Sequence, residues 1–215
     1  PHRAGMGNSD ICEHMSDAAD ADDTFALLNA LGVEKCVAIG HSAGNAHARQ
    51  MFLSRPSRVE AAVFIDGLYY FSGKASRLGT ERYSPEVRAL YKKNKAILIA
   101  HDLPWYYPSE FNVQLLKDWF EWNREHPGLK DKLKRRDDPA NCPIPSGKYC
   151  EIPLLVIASG WGKIRPDDPE AAELRERLPA ENAELVVATE CGHYVQLEQP
   201  GIVNKKLLEF LGSLQ

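Results

Sequence analysis

The chain has 215 residues, 44% hydrophobic and 26% charged, with a net charge of −4, the balance of an ordinary globular domain. That charge gives no electrostatic reason to expect nucleic acid or an anionic membrane as a partner. No apolar run nears the roughly 18 residues needed to cross a bilayer, and the first residues show no signal-peptide h-region.

Taken in chain order, the first helix signal is Ser16, a residue type that caps helix N-termini. The helix it opens is expected to run to about Leu31, with Gly32 as its stop. Four short runs, Lys35–Gly40, Ala61–Asp66, Pro153–Ser159 and Glu184–Thr189, are nearly continuous in Val, Ile, Leu and Ala. Such runs suit parallel strands covered on both faces. Helices are expected between and after them at Ala43–Ser54, Pro169–Leu178 and Gly201–Leu211. Alternating strand and helix predicts right-handed crossovers and an open α/β sheet.

Residues 68–151 break the alternation. They hold two expected helices, Ser84–Ala100 and Ser109–Glu125, followed by a Pro- and charge-rich stretch too long for a plain loop. The chain therefore divides into a core, 1–67 with 152–215, and an inserted cap, 68–151. The five cysteines, Cys12, Cys36, Cys142, Cys150 and Cys191, are an odd count without CxxC spacing. That argues against a disulfide framework or a zinc site, with a Cys142–Cys150 loop bridge left open. Reduced thiols and a cytoplasmic location are the expectation.

The stretch "VAIGHSAGNAHARQ" carries the chemistry. In GxSxG a strand ends, the chain turns sharply and a helix begins, which exposes the serine at the carboxyl edge of the sheet. Gly40 and Gly44 flank Ser42 where a side chain would crowd that turn, and Ala43 between is also small. A serine nucleophile needs a base. His193, in "ECGHYVQLEQP", directly follows the last expected strand and so belongs at the same edge. Of the other histidines, His41 stands beside the serine and is expected to point away from its hydroxyl, bordering the substrate site. His47, His101 and His126 fall on helices or their ends, and His2 and His14 in N-terminal loops. No HExxH, CxxC or phosphate loop is present, and the glycine fingerprint of a dinucleotide domain is missing, so no metal or cofactor is expected.

With Ser42 and His193 in this order, the chain resembles the α/β-hydrolase superfamily. The opening "PHRAGMGNSD" is similar to the family's loop D-R-P-G-x-G-x-S, with Arg3, Gly5, Gly7 and Ser9 matching and His2 and Ala4 departing. "IPLLVIASG" looks like the seventh strand, and "GHYVQLEQP" like the catalytic-histidine loop with its downstream Glu198 and Pro200. The resemblance implies a serine hydrolase in which Ser42 attacks, His193 is the base and the Ala43 N–H is an oxyanion donor. The family's acid usually follows the seventh strand, yet position 163 holds Lys163. The acid is expected at Asp66, at the end of the preceding strand, with Asp167 or Asp168 as the alternative. In the resemblance the family's opening strands and a second oxyanion donor precede Pro1, so a complementing N-terminal segment is a possible partner.

Caps of this family shape an apolar pocket over the nucleophile. Aromatic residues at helical spacing also suit a helical core, but the resemblance implies that some of them, Trp105, Tyr106 and Trp119 foremost, face substrate. The expected function is hydrolysis of an ester, lactone or related acyl bond in a small, partly hydrophobic molecule. The alternatives are a non-catalytic small-molecule-binding protein on the same fold, or an inactive fragment.

Overall fold

The structure, a computed structural model, describes residues 4, 9, 16–67, 144–159, 167, 169–189 and 191–214. Helix α1 spans Asp17–Ala30. Ser16 caps it by accepting the Ala19 N–H at 3.1 Å, and Gly32 follows with φ +69°, the left-handed conformation that ends many helices. Strand β1 is Cys36–His41 and helix α2 is Gly44–Ser54. Strands β2 (Val59–Ile65) and β3 (Leu154–Ser159) follow. Helix α3 (Pro169–Glu176), strand β4 (Glu184–Ala188), the single turn α4 (Val195–Glu198) and helix α5 (Pro200–Gly212) complete the described elements. The four strands lie where their apolar runs are. The 3₁₀ turn Pro56–Arg58 and α4 are too short to show a period in sequence.

The described strands form one parallel sheet in the order β1-β2-β3-β4. In register, Gly40 lies opposite Phe64, His41 opposite Ile65, and Ile65 opposite Ile157. Consecutive strand ends therefore share one carboxyl edge.

The sheet has two covered faces, which explains why β2 and β3 lack polar alternation. Ala62, Phe64, Leu154, Val156 and Ala158 point into one core with Phe25 of α1, Phe52 of α2 and Leu174 of α3. Ala61, Val63, Ile65, Leu155 and Ile157 point into the other with Val195, Val203 and Phe210 from α4 and α5. Period 2 is present, but both phases are apolar.

The stretch before β3 is tied to the first core. Tyr149 stacks on Phe52 with ring centroids 6.3 Å apart, and the Cys150 N–H donates to Pro179 O at 2.9 Å. Lys148 Nζ donates to the carbonyls of Glu176 and Leu178 at 3.1 and 2.9 Å, satisfying acceptors at and just beyond the end of α3. Cys150 is a free thiol, so the bridge left open for it above is not formed. Burial pushes the Cys150 thiol up to about 11. None of the described helices is long and apolar enough to cross a membrane. The expected cap helices Ser84–Ala100 and Ser109–Glu125, with Trp105, Tyr106 and Trp119, lie outside the described residues.

Candidate active site

Ser42 occupies the turn between β1 and α2 with φ +54°, a left-handed conformation uncommon for a residue with a side chain. Its N–H donates to Ile65 O at 3.1 Å, and its carbonyl accepts the Asn45 N–H at 2.9 Å. These bonds fasten the turn to the end of β2. The Ala43 N–H makes no hydrogen bond among the described residues. It stands at the N-terminus of α2, where partial positive charge collects.

The two glycines around Ser42 are not equivalent. A Cβ on Gly40 would lie 2.5 Å from the Gly44 carbonyl oxygen and 2.7 Å from Asn45 N, so α2 can begin this close to β1 only over a residue without a side chain. A Cβ on Gly44 would meet nothing within 4 Å among the described residues. Among the described residues, the crowding expected at both positions is present at Gly40 and absent at Gly44. The second essential glycine is Gly67, with φ +70°, where a Cβ would stand 2.7 Å from Ser42 Cα. Its position after a strand-ending aspartate was the only signal for it in sequence.

Asp66 closes β2 with φ +44° and is buried, as is His193. His193 Nδ1 lies 2.6 Å from Asp66 Oδ2. A carboxylate can only accept, so Nδ1 carries a proton, an arrangement that reserves Nε2 as the nitrogen available to act as a base. The other carboxylate oxygen, Oδ1, accepts the Ser159 hydroxyl at 2.8 Å and the Ser159 N–H at 3.2 Å. Asn45 Nδ2 donates to the Asp66 carbonyl. A buried carboxylate is costly unless its oxygens are satisfied, and here both are. Asp167 sits in an exposed turn, and Asp168 lies outside the described residues. Ser159 and Asn45 escaped sequence reading because a serine ending an apolar strand and an asparagine in a helix's first turn are both commonplace. No hydrogen bond joins Ser42 to His193 among the described residues, a contact that often tightens only when substrate binds.

His41 lies beside this pair. Its Nε2 donates to the His193 carbonyl at 2.8 Å, and its ring stands 4.6 Å from the His193 ring and 5.3 Å from that of Tyr194. Burial holds its pKa below the usual 6.5 despite that hydrogen bond, and the neighbouring His193 lowers it further. The bond fixes the loop that carries His193. Glu198 Oε2 fixes the same loop by accepting the Gly192 N–H at 3.0 Å. Among the described residues no three His, Cys, Asp or Glu side chains are grouped to hold a metal ion.

Comparison with known proteins agrees with this architecture. A 2-hydroxy-6-oxononadienedioate/2-hydroxy-6-oxononatrienedioate hydrolase of Pseudomonas sp is 26% identical over 203 residues, covering 91% of this chain and 69% of that protein. A solved thermophilic esterase is 25% identical with a TM-score of 0.55, over 98% of this chain and 79% of its own. The meta-cleavage product hydrolase CumD of Pseudomonas fluorescens IP01, solved as a mutant with acetates, has a TM-score of 0.63 at 20% identity, over 99% and 78%. That likeness concerns the fold. A family model described as the alpha/beta hydrolase family matches residues 1–206, and the chain belongs to that family.

Proposed function

We propose that the chain is a serine hydrolase that cleaves an ester, lactone or related acyl bond of a small, partly hydrophobic molecule. The observation that carries this reading is the 2.6 Å contact between His193 Nδ1 and Asp66 Oδ2 at the sheet edge where Ser42 turns. Ser42 Oγ attacks the acyl carbon and passes its proton to His193 Nε2. The imidazolium, stabilised by Asp66, returns that proton to the leaving group as the acyl bond breaks. Water, deprotonated by the same nitrogen, then attacks the acyl-enzyme, and the proton returns to Ser42 as the acid leaves. The Ala43 N–H at the start of α2 is the proposed donor to the tetrahedral oxyanion.

The named relatives support a carbonyl-bearing substrate, since the curated relative acts on a 6-oxo dienedioate and the thermophilic neighbour is an esterase. The aromatic residues of 68–151, Trp105, Tyr106 and Trp119 foremost, are proposed to supply the apolar surroundings of the acyl group. His41, held against His193, is better suited to fixing the base than to contacting substrate.

The test is intact-mass spectrometry of the purified chain before and after a fluorophosphonate probe. One adduct, lost in Ser42→Ala, is expected. No adduct on a folded chain overturns the reading and favours a binding protein on this fold.

A further inference from the structure

The Asp66 carboxylate is held from two sides. Oδ2 faces His193, and Oδ1 takes both the hydroxyl and the N–H of Ser159. Both Asp66 and Ser159 are buried, so water offers Oδ1 little alternative. Ser159 is the last residue of β3, and β3 lies beside β2 in parallel register, Ile157 opposite Ile65. The Asp66 N–H donates to Ile157 O at 2.8 Å. The two strand ends are thus laced together at the acid. Asp66 also has the left-handed φ of +44°, a conformation that costs energy unless the surroundings impose it.

We infer that Ser159 is a positioning residue for the proposed reaction, its hydroxyl holding the Asp66 carboxylate in the rotamer that presents Oδ2 to His193. The inference rests on the hydrolase reading above, extending the site from the serine turn and the histidine loop to the end of β3. Without the hydroxyl, Oδ1 keeps, among the described residues, only the longer N–H bond, and the carboxylate can turn about its terminal torsion, which is intrinsically broad. His193 would then spend part of its time unpaired or in the wrong tautomer. Loss of orientation acts on the chemical step and leaves substrate affinity alone.

The experiment has two arms on the full chain. In the first, p-nitrophenyl butyrate hydrolysis is measured for Ser159→Ala in the wild-type and Asp66→Asn backgrounds. In the wild-type background kcat falls about tenfold with KM unchanged, the scale of one hydrogen bond to a charged group. In the Asp66→Asn background the same change alters kcat by less than about twofold, because residues acting as a unit are not additive. Equal losses in both backgrounds, or no loss in either, overturn the inference.

The second arm does not need turnover. The Nδ1 proton of His193 is followed by proton NMR as a far-downfield signal, assigned by its absence in His193→Gln. Ser159→Ala, which removes a single buried oxygen and keeps the main-chain bond, is expected to broaden this signal or move it upfield. An unchanged signal overturns the inference even if the enzyme is active. A changed signal in a chain that neither labels with fluorophosphonate nor hydrolyses the ester upholds Ser159 as the clamp on Asp66 and rejects the hydrolase reading.

Discussion

The middle of the sheet and its carboxyl edge are built to opposite rules. In the middle, β2 and β3 are regular and apolar in both phases, and Val63, Phe64, Leu155 and Val156 are all fully buried. At the strand ends, the edge collects positive-φ residues, Ser42, Asp66 and Gly67, together with the buried polar groups Asn45, Asp66, Ser159 and His193. The first region supplies apolar burial, the dominant favourable term in folding. The second holds strained backbone and desolvated charge that the first must offset. A family member can therefore vary its chemistry at the edge while its stability is set elsewhere.

The difference can be broken most sharply at Ser42. Ser42→Gly is expected to lower ester turnover by at least about 10⁴-fold, as loss of a nucleophile does, while removing the strain of φ +54°. Chemical denaturation should therefore show stability unchanged or raised by up to about 1 kcal/mol. A large loss of stability would mean that the edge is not where strain resides. Asp66→Asn comes next, with turnover reduced by about 10⁴-fold through the wrong His193 tautomer and the fold intact by circular dichroism.

Leu155→Ala tests the middle of the sheet. It should destabilise the chain by roughly 2–5 kcal/mol in urea titrations, while the folded fraction keeps the wild-type kcat. The glycine pair sharpens the boundary between the regions. Gly40→Ala, with its Cβ placed 2.5 Å from the Gly44 carbonyl, should cost at least about 2 kcal/mol and reduce turnover. Gly44→Ala, in the first turn of α2 where a Cβ meets no described residue within 4 Å, should be neutral or stabilising by up to about 1 kcal/mol. Equal costs at the two positions would contradict the geometry of the turn.

The smallest effect concerns pH. Burial and the adjacent His193 hold the His41 pKa below its ordinary 6.5. Between that lowered value and 6.5 the unfolded chain binds more protons at this position than the folded one. Stability linked to His41 is thus complete above about pH 6.5 and is lost as pH falls through 6.5 toward the lowered folded value, below which no more is lost. His41→Gln should flatten that part of a melting-temperature profile taken between pH 5 and 7.5. An unaltered slope would show that the His41 ring is not desolvated.

How much of this was legible depends on the range of the interaction. The GxSxG turn and the strand and helix order show in sequence because each arises from neighbouring residues: apolar runs, a capping serine, small residues at a sharp bend. His193 could be found because it follows the last strand, which any parallel sheet returns to the same edge. The family followed from those local features together. Asp66 stood out because it ends a strand while Lys163 occupies the family's usual acid position, but its contact with His193, 127 positions away, could not be read from either stretch.

Sequence alone therefore determined the open parallel sheet, the serine turn and the histidine loop, because hydrophobic periodicity and turn chemistry act over a few residues. Tertiary structure alone decided that Ser159 braces the acid, that His41 turns to the His193 loop, and that Gly67 rather than Gly44 yields space to Ser42. Those outcomes join residues up to 152 positions apart, and only the register of packed strands brings such residues within hydrogen-bond distance.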